Sequence, residues 1–271
     1  MRLTRTRPGN RVLVGVDEKW FDLRQIKGYE QVTRIADLDD RLADQVRRQA
    51  DTLDVVSVDL DHAATIADRE ADIWGAGLNY RRHSADLGAE QPGSGPGSYL
   101  RPANCLIDNG GAIELPAQSA RVTAEAELGL VIGRRCKNVP RDGWREVVAG
   151  VTAVLDMTAE DVIRENPRYI PWAKGFDTFC SIGPVVVTMD EFESLDSVRI
   201  TTVRNDEEIA SATPADMKYD LGFLVEYFTA GRTLEPGTVI CTGTPGAVPI
   251  EPGDTVRAVV EHVGTLTHPV R

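Results

Sequence analysis

Paired cysteines, long apolar runs and basic clusters are all missing from this 271-residue sequence. Its four cysteines include no Cys-x-x-Cys pair, which argues against a zinc or redox motif and predicts a reducing, cytoplasmic setting. No apolar stretch approaches the length of a transmembrane span, and none follows the basic N-terminus, so we expect neither a membrane protein nor a signal peptide. The formal net charge of −12, without any Lys/Arg-rich run, disfavours nucleic acid as a partner.

The pattern of apolar residues divides the chain into two parts. A strand over residues 11–16, a helix capped by Asp37 and a second strand over 54–60 predict a small N-terminal α+β domain covering residues 1–70. Over residues 71–271, short apolar runs alternate with turn signals such as Glu-Pro-Gly. This alternation predicts a larger, mainly β domain.

Two helices and one loop are expected inside the larger domain. Thr158 and Asp161 have the spacing of a capping box, which predicts a short helix that ends before Pro167. Apolar residues at helical spacing follow Asp220, which predicts a second helix with that aspartate as its cap. The segment 88–98 is rich in glycine, proline and serine, so a mobile loop is expected there.

Acidic residues accompany two of the predicted strands. Glu125 and Glu127 precede the apolar run 128–132, and because side chains alternate along a strand, both project from one face. Asp156 ends a second apolar run, 151–155. Together these carboxylates could offer oxygen ligands to Mg²⁺ or Mn²⁺. Two alternatives stay open: a pair of solvated glutamates at an exposed edge, and an aspartate that only caps the following helix.

Three other places carry groups suited to catalysis. If their segment is helical, His83 and Asp86 share a face, so the carboxylate could orient the imidazole as a base; the alternative is a surface ion pair. Lys174, between apolar residues and glycine, could meet a carboxylate or an enolate, or could extend along the surface. Gly243 and Thr244 lie in a turn whose N–H groups and hydroxyl could bind an anion, or which is only a hairpin.

In chain order, these segments resemble the fumarylacetoacetate hydrolase family over residues 73–271. The matching motifs are Gly-Leu-Asn-Tyr-x-x-His, Glu-x-Glu-Leu-x-x-Val-Ile-Gly, Asp-Met-Thr-Ala, Lys-Gly-Phe-Asp-Thr-Phe and Thr-Gly-Thr-Pro. The resemblance implies a β-sandwich roll of the family's C-terminal type, usually a homodimer that acts on a small oxo acid. It implies metal ligation by Glu125, Glu127 and Asp156, with Mg²⁺ or Mn²⁺ as the cofactor. It also implies catalytic roles for His83, Asp86 and Lys174, and substrate contacts for Tyr80, Arg101, Gly243 and Thr244.

The chain departs from the family pattern beside the expected site. Glu160 stands where many members have arginine, Ile163 where they have glutamine, and Arg101 where they have lysine. A negative charge at the first of these positions would repel an anionic arm of a substrate. The alternative is that Glu160 faces solvent and pairs with Arg164 four residues later.

The sequence therefore predicts a metal-dependent hydrolase that cleaves a carbon–carbon bond in a small β-dicarbonyl or 2-oxo acid and expels an enolate. Decarboxylation or keto–enol isomerisation needs the same chelation and proton transfer without an attacking water, so both reactions stay open. A non-catalytic member that only binds a small molecule or a partner protein is the third possibility.

Overall fold

A computed structural model describes residues 1–7, 9–38, 41–81 and 93–271 of the chain. Its strands are β1 (Arg2–Arg5), β2 (Val12–Val16), β3 (Lys19–Asp22), β4 (Val55–Val56), β5 (Ile73–Gly77), β6 (Gly97–Arg101), β7 (Leu106–Ile107), β8 (Val122–Ile132), β9 (Val148–Ala159), β10 (Cys180–Thr188), β11 (Ile200–Arg204), β12 (Glu207–Ala212), β13 (Val239–Cys241), β14 (Ala247–Ile250), β15 (Thr255–Val260) and β16 (Gly264–Pro269). Its α-helices are α1 (Leu42–Gln49), α2 (Glu160–Glu165), α3 (Ile170–Ala173) and α4 (Leu221–Thr229). Across these ranges no helix is both long enough and apolar enough to cross a membrane.

The described strands form two sheets. The larger has twelve strands with the central order β4-β3-β2-β1-β10-β9-β8-β13-β5-β6, and β14 and β7 join it by pairing with β8 and β10. The smaller has the order β12-β11-β15-β16, and its strands β11 and β15 pack against β8. This arrangement confirms the predicted mainly β class with smaller helical elements.

The N-terminal strands continue the large sheet. Strand β1 pairs with β10 in the antiparallel direction, so that Leu3 lies opposite Val186. Strands β2 to β4 then extend the same sheet outward. The main-chain ladder therefore runs unbroken from the first strands to those of the remaining chain, and the domain boundary at residue 70 stays a prediction.

Strands β8 and β9 form the centre of the large sheet and are the longest pair. Every residue of β8 is buried, as are all but one of β9; other strands pair with their edges, and strands β11, β15 and β16 of the second sheet pack against them. A strand buried on both faces is an unfavourable place for charge unless the charge is compensated. The acidic residues of these two strands therefore require partners.

The predicted elements of the first 70 residues are confirmed only in part. Strand β2 forms as expected. Helix α1 begins at Leu42 with Arg41 at its N-cap, so the prediction that Asp37 caps it was wrong. Residues 35–37 form a separate 3₁₀ turn instead. The strand expected over residues 54–60 is reduced to the two residues of β4.

In the larger part, one predicted helix cap is confirmed and the other is wrong. The Asp220 side chain accepts a hydrogen bond from the backbone N–H of Phe223 (2.8 Å) and caps α4. Thr158 does not cap a helix, because β9 continues to Ala159 and α2 begins only at Glu160. Of the loop expected over residues 88–98, the last two residues belong to strand β6, and those up to residue 92 lie outside the described ranges.

His268 is a buried histidine on β16. Its Nδ1 lies 2.9 Å from the carbonyl oxygen of Gly111, and its Nε2 has no hydrogen-bond partner among the described residues. Burial lowers the pKa of His268 from 6.5 to about 4, against a smaller opposing effect of the Gly111 carbonyl. The imidazole is therefore neutral in the folded protein at neutral pH.

We predict that His268→Asn makes the protein less sensitive to mild acid. The unfolded chain takes up a proton near pH 6.5 and the folded chain only near pH 4, so acid favours unfolding between these values, by about 2 kcal/mol at pH 5. Asparagine can still donate a hydrogen bond to Gly111 but does not titrate. Urea unfolding at pH 7.5 and pH 5 should show a smaller loss of unfolding free energy for the variant.

The matched control is His262→Asn. His262 is exposed and has a φ of 63°, a backbone conformation that asparagine tolerates well. Its substitution should leave the acid sensitivity unchanged. Equal acid sensitivity of His268→Asn and the wild type would contradict the assignment of a depressed pKa to this residue.

Candidate active site

Three buried carboxylates meet on strands β8 and β9. Asp156 lies directly opposite Glu125 in the antiparallel register, and Glu127 lies two residues farther along the same face of β8. One carboxylate oxygen from each of the three lies within 4.8 Å of the others. Their exposed fractions are 8%, 2% and 0% for Glu125, Glu127 and Asp156, so these acids are not solvated at an exposed edge.

Lys174 provides a positive charge at the centre of this acidic cluster. Its Nζ donates hydrogen bonds to Asp156 Oδ1 (2.7 Å) and Thr158 Oγ1 (2.7 Å), and makes a longer contact with Glu125 Oε2 (3.3 Å). Burial alone would lower the pKa of Lys174, but the charges of Asp156 and Glu125 outweigh that effect and raise it. The ammonium group therefore stays charged, and it does not extend along the surface.

Arg101 supplies a second buried positive charge. Its Nη2 donates to Asp156 Oδ1 and to the carbonyl oxygen of Met157, and its Nη1 donates to the carbonyl oxygens of Lys174 and Phe179. All of these contacts are within the protein, and the side chain is fully buried. The observed role of Arg101 is to hold Asp156; a contact with substrate stays a prediction.

Tyr99 completes the surroundings of Asp156. Its hydroxyl donates to Asp156 Oδ2 at 2.7 Å. The phenol ring lies over Gly75, its partner across the β5–β6 pair, where a Cβ atom would be only 2.0 Å from the Tyr99 ring carbon Cζ. The glycine is therefore required for the close approach that brings the Tyr99 hydroxyl to the site.

The two buried cations compensate the three carboxylates of the cluster to different extents. Burial would raise the pKa of Asp156, but the charges of Arg101 and Lys174 outweigh it, so this pKa is lowered. Burial and the neighbouring charge of Asp156 raise the pKa of Glu127 to about 8, because Lys174 and the N–H of Gly243 oppose them only in part. The least compensated negative charge therefore lies at Glu127.

The turn that follows strand β13 faces Glu127. The backbone N–H of Gly243 donates to Glu127 Oε2 at 2.9 Å, and the Thr244 hydroxyl donates to the carbonyl oxygen of Gly246 at 3.0 Å. Burial, together with the charge of Glu127, raises the pKa of Tyr80. Tyr80 is therefore a neutral phenol near the cluster. Substrate contacts by these three residues stay predictions.

Glu160, at the start of α2, is held by two arginines. Arg164 Nε donates to its Oε1 at 2.9 Å, and Arg121 binds its other oxygen. Burial would raise the pKa of Glu160, but these hydrogen bonds outweigh it and lower the pKa. Of the alternative stated for Glu160, the pairing with Arg164 is confirmed, whereas the exposure to solvent is wrong, since Glu160 is buried. The charge that was expected to repel a substrate is thus neutralised locally.

The sequence-based predictions missed several polar groups at the site. Tyr99 contacts Asp156, and Thr158 contacts Lys174. The Thr123 hydroxyl donates to Glu125 at 3.2 Å. The alternation of Thr123 with the glutamates, and of Thr158 with Asp156, could have placed both threonines on the right face. His83 and Asp86 lie outside the described residues, so their role as a dyad stays a prediction.

The residues present suit a hard divalent cation. Three carboxylates face two buried cations, Lys174 and Arg101, which leaves one net negative charge when all five groups are ionised. Carboxylate oxygens are the ligands that Mg²⁺ and Mn²⁺ prefer, and a cation beside Glu127 would compensate the charge that the protein leaves uncompensated. Metal binding by these three acids is supported by this fit and stays a prediction.

The chain belongs to the fumarylacetoacetate hydrolase family. The profile described as "Fumarylacetoacetate (FAA) hydrolase C-terminal" matches residues 72–271, which includes every residue of the acidic cluster. The family match is consistent with the mainly β fold, and the buried acids lie within the matched residues.

Two named relatives illustrate the range of the family. The maleylpyruvate hydrolase of Aquipseudomonas alcaligenes is 33% identical over 211 residues, covering 73% of this chain and 72% of the relative. The mitochondrial oxaloacetate decarboxylase of Dictyostelium discoideum is 32% identical over 198 residues, covering 71% of this chain and 90% of the relative. Relatives of this chain are thus enzymes with different named reactions.

Solved structures extend the likeness to the whole chain. Maleylpyruvate hydrolase from Sphingobium sp. SYK-6, in complex with a manganese(II) ion and pyruvate, superposes with a TM-score of 0.81 at 26% identity, covering 100% of this chain and 98% of the other. The 5-carboxymethyl-2-hydroxymuconate delta-isomerase from Mycobacterium smegmatis gives a TM-score of 0.75 at 32% identity, with 100% and 98% covered. The fold of this chain is therefore shared along its full length.

We predict that Lys174→Met makes the metal-free protein less stable and makes it more responsive to Mn²⁺. Removing one partner of a buried ion pair costs about 3 kcal/mol, since the remaining carboxylates lose their compensation. A divalent cation would restore that compensation without competing against the ammonium charge. Thermal unfolding with and without Mn²⁺ should therefore show a lower midpoint for the metal-free variant and a larger increase on adding metal than in the wild type.

Lys137→Met is the control for this experiment, because Lys137 is exposed and lies in the segment after the end of β8, not in the cluster. It should match the wild type in both measurements. A smaller Mn²⁺ response of Lys174→Met than of the wild type would show that Lys174 does not compete with a cation at this site.

Proposed function

We propose that this protein is a divalent-metal-dependent hydrolase that cleaves a carbon–carbon bond in a small β-dicarbonyl or 2-oxo acid. The observation that carries the proposal is the convergence of three buried carboxylates around the Lys174 ammonium group. Mg²⁺ or Mn²⁺ held by Glu125, Glu127 and Asp156 would supply a Lewis acid that polarises the oxygens of an oxo acid.

The charge of the site favours an anionic substrate. When all five groups are ionised, the three carboxylates with Lys174 and Arg101 carry one net negative charge, so a bound divalent cation would change the total to one net positive charge. A carboxylate of the substrate would then be attracted to a buried cationic site, where Coulomb interactions are stronger than in water. An oxo acid fits this balance better than a neutral ketone.

Lys174 is well placed to stabilise the negative charge that develops during cleavage. All of its observed partners belong to the protein, and its longest contact is the 3.3 Å contact with Glu125. If Glu125 served as a metal ligand in place of this contact, the donor would be available to the oxygen of the leaving enolate. Such a fixed cation in a site without bulk water stabilises an enolate at little reorganisation cost.

Water activation is assigned to His83, oriented by Asp86. A neutral imidazole would take a proton from water, and the resulting hydroxide would attack the remote carbonyl of the substrate. The carbon–carbon bond then breaks, and the electron pair leaves with the enolate, which is protonated to the product. Tyr80 lies near Glu127, and Gly243 of the Gly243–Thr244 turn binds it; all three residues are proposed to contact the substrate.

Decarboxylation of a 2-oxo acid is the second candidate. It is favoured by the likeness to the Dictyostelium discoideum oxaloacetate decarboxylase, which aligns with 71% of this chain. Decarboxylation would rely on the same metal ligands and on Lys174 to stabilise an enolate but would need no attacking water. Keto–enol isomerisation would also use the enolate, and the similar Mycobacterium smegmatis structure is named as a delta-isomerase.

We predict turnover of at least one acylpyruvate, diketo sugar acid or oxaloacetate in the presence of Mg²⁺ or Mn²⁺. Glu127→Gln should lose both metal binding and nearly all activity, because it removes a ligand charge. The loss of metal affinity should exceed roughly 10–100-fold, which is the typical effect of losing a group that only hydrogen-bonds a metal ligand. Metal binding is measured by calorimetry and turnover by following substrate absorbance. Glu251→Gln, an exposed site, is the control and should behave as wild type.

His83→Ala separates the two candidate reactions. If the protein is a hydrolase that depends on this base, the variant should lose about 10²–10⁴-fold in rate. If the reaction is a decarboxylation, carbon dioxide release from oxaloacetate should survive the substitution. Absence of turnover across the panel, with metal bound, would instead identify a non-catalytic binding protein. The homodimer implied by the family resemblance is tested by light scattering of the same preparation.

A further inference from the structure

Asn79 lies at a junction of three chain segments next to the acidic cluster. It is buried, with 1% of its surface exposed. Its Nδ2 donates to the carbonyl oxygens of Thr242 (2.9 Å) and Tyr219 (3.0 Å), and its Oδ1 accepts from the backbone N–H of Tyr219 (2.9 Å). The side chain thereby joins the segment after β5 to the segment before α4 and to the turn after β13.

One of these bonds reaches the peptide group that also binds Glu127. Asn79 holds the carbonyl oxygen of the peptide unit between Thr242 and Gly243, and the N–H of that same unit donates to Glu127 Oε2 at 2.9 Å. A trans peptide is planar, with its C=O and N–H pointing in opposite directions. The orientation of the N–H toward Glu127 is therefore determined by the carbonyl that Asn79 holds.

The same peptide unit is held by close packing. Gly243 has a φ of +95°, and a Cβ atom there would lie 2.8 Å from the carbonyl oxygen of Ala76 and 3.0 Å from Asn79 Cβ. A side chain at position 243 would therefore collide with Asn79 as well as with the main chain of Ala76. Hydrogen bonds in series also polarise one another, so a donor on the carbonyl side strengthens the N–H on the other side.

We propose that Asn79 is a positioning residue for the metal site, acting on Glu127 through the Thr242–Gly243 peptide. Nothing in its position makes it a metal ligand or a substrate contact. Its effect is to fix the Gly243 N–H that holds Oε2 of Glu127, and with it the place of this carboxylate beside Glu125 and Asp156. This inference rests on the proposed metal site.

Asn79→Ala tests the role, with Asn109→Ala as the matched control. Asn109 is also buried and joins two remote segments, donating to the carbonyl oxygen of Leu60 and accepting from the N–H of Thr267, both at 2.8 Å. Neither segment contributes a carboxylate to the cluster. The two variants should lose similar stability, as measured by urea unfolding, so that any difference in metal binding reports on position in the network.

The measurement is the Mn²⁺ dissociation constant by calorimetry on the full chain. Asn79→Ala should weaken binding about 10-fold, the lower end of the range for residues that support a metal ligand, whereas Asn109→Ala should stay within about 2-fold of the wild type. Equal Mn²⁺ affinity of Asn79→Ala and wild type, or equal weakening in both variants, overturns the proposal. If the wild type itself does not bind Mn²⁺, the proposed metal site fails instead.

Two further variants keep the test decisive if Asn79→Ala does not fold. Gly243→Ala displaces the same peptide, so it should weaken Mn²⁺ binding by a similar factor, and combining it with an Asn79 substitution should add little. Asn79→Asp preserves the shape but removes the donor. Its extra negative charge alone would tighten cation binding, so weaker binding supports the positioning role, and tighter or unchanged binding contradicts it.

Discussion

The buried ion cluster around Asp156 is the interaction on which the site depends. Three carboxylates in the interior would be strongly destabilising without the guanidinium of Arg101 and the ammonium of Lys174. The anions come from β8 and β9, whereas the cations come from the edge strand β6 and from the residue after α3. The balance of charge therefore exists only when these elements are packed together, so folding and site assembly are the same event.

The proposed chemistry is compatible with the different named reactions of the relatives. In the proposed function the cluster would hold a cation and Lys174 would offer a fixed positive charge to an enolate, and hydrolysis, decarboxylation and isomerisation can all pass through an enolate. What differs among these reactions is whether water is activated, and that depends on groups outside the cluster. In this chain Glu160 forms ion pairs with Arg121 and Arg164, and neither arginine pairs with the three carboxylates of the cluster.

The sequence was sufficient for features that depend on one strand or one cap. Alternation placed Glu125 and Glu127 on one face, and the cap at Asp220 followed from local chemistry. The sequence was insufficient for features that depend on strand register or on packing between strands. The position of Asp156 opposite Glu125 depends on strand pairing, and the approach of Tyr99 depends on a glycine in the neighbouring strand. Thr158 was misinterpreted as a helix cap because its hydroxyl is used by a lysine sixteen residues away.

The N-terminal strands have a consequence for the solution behaviour of the whole molecule. Strand β1 occupies the side of β10 that is turned away from β9. A fragment limited to the family-matched residues 72–271 would leave the N–H and C=O groups along that side without partners, and such exposed edges recruit strands from other molecules. The first four strands therefore act as a shield against edge-to-edge aggregation, whatever else they contribute.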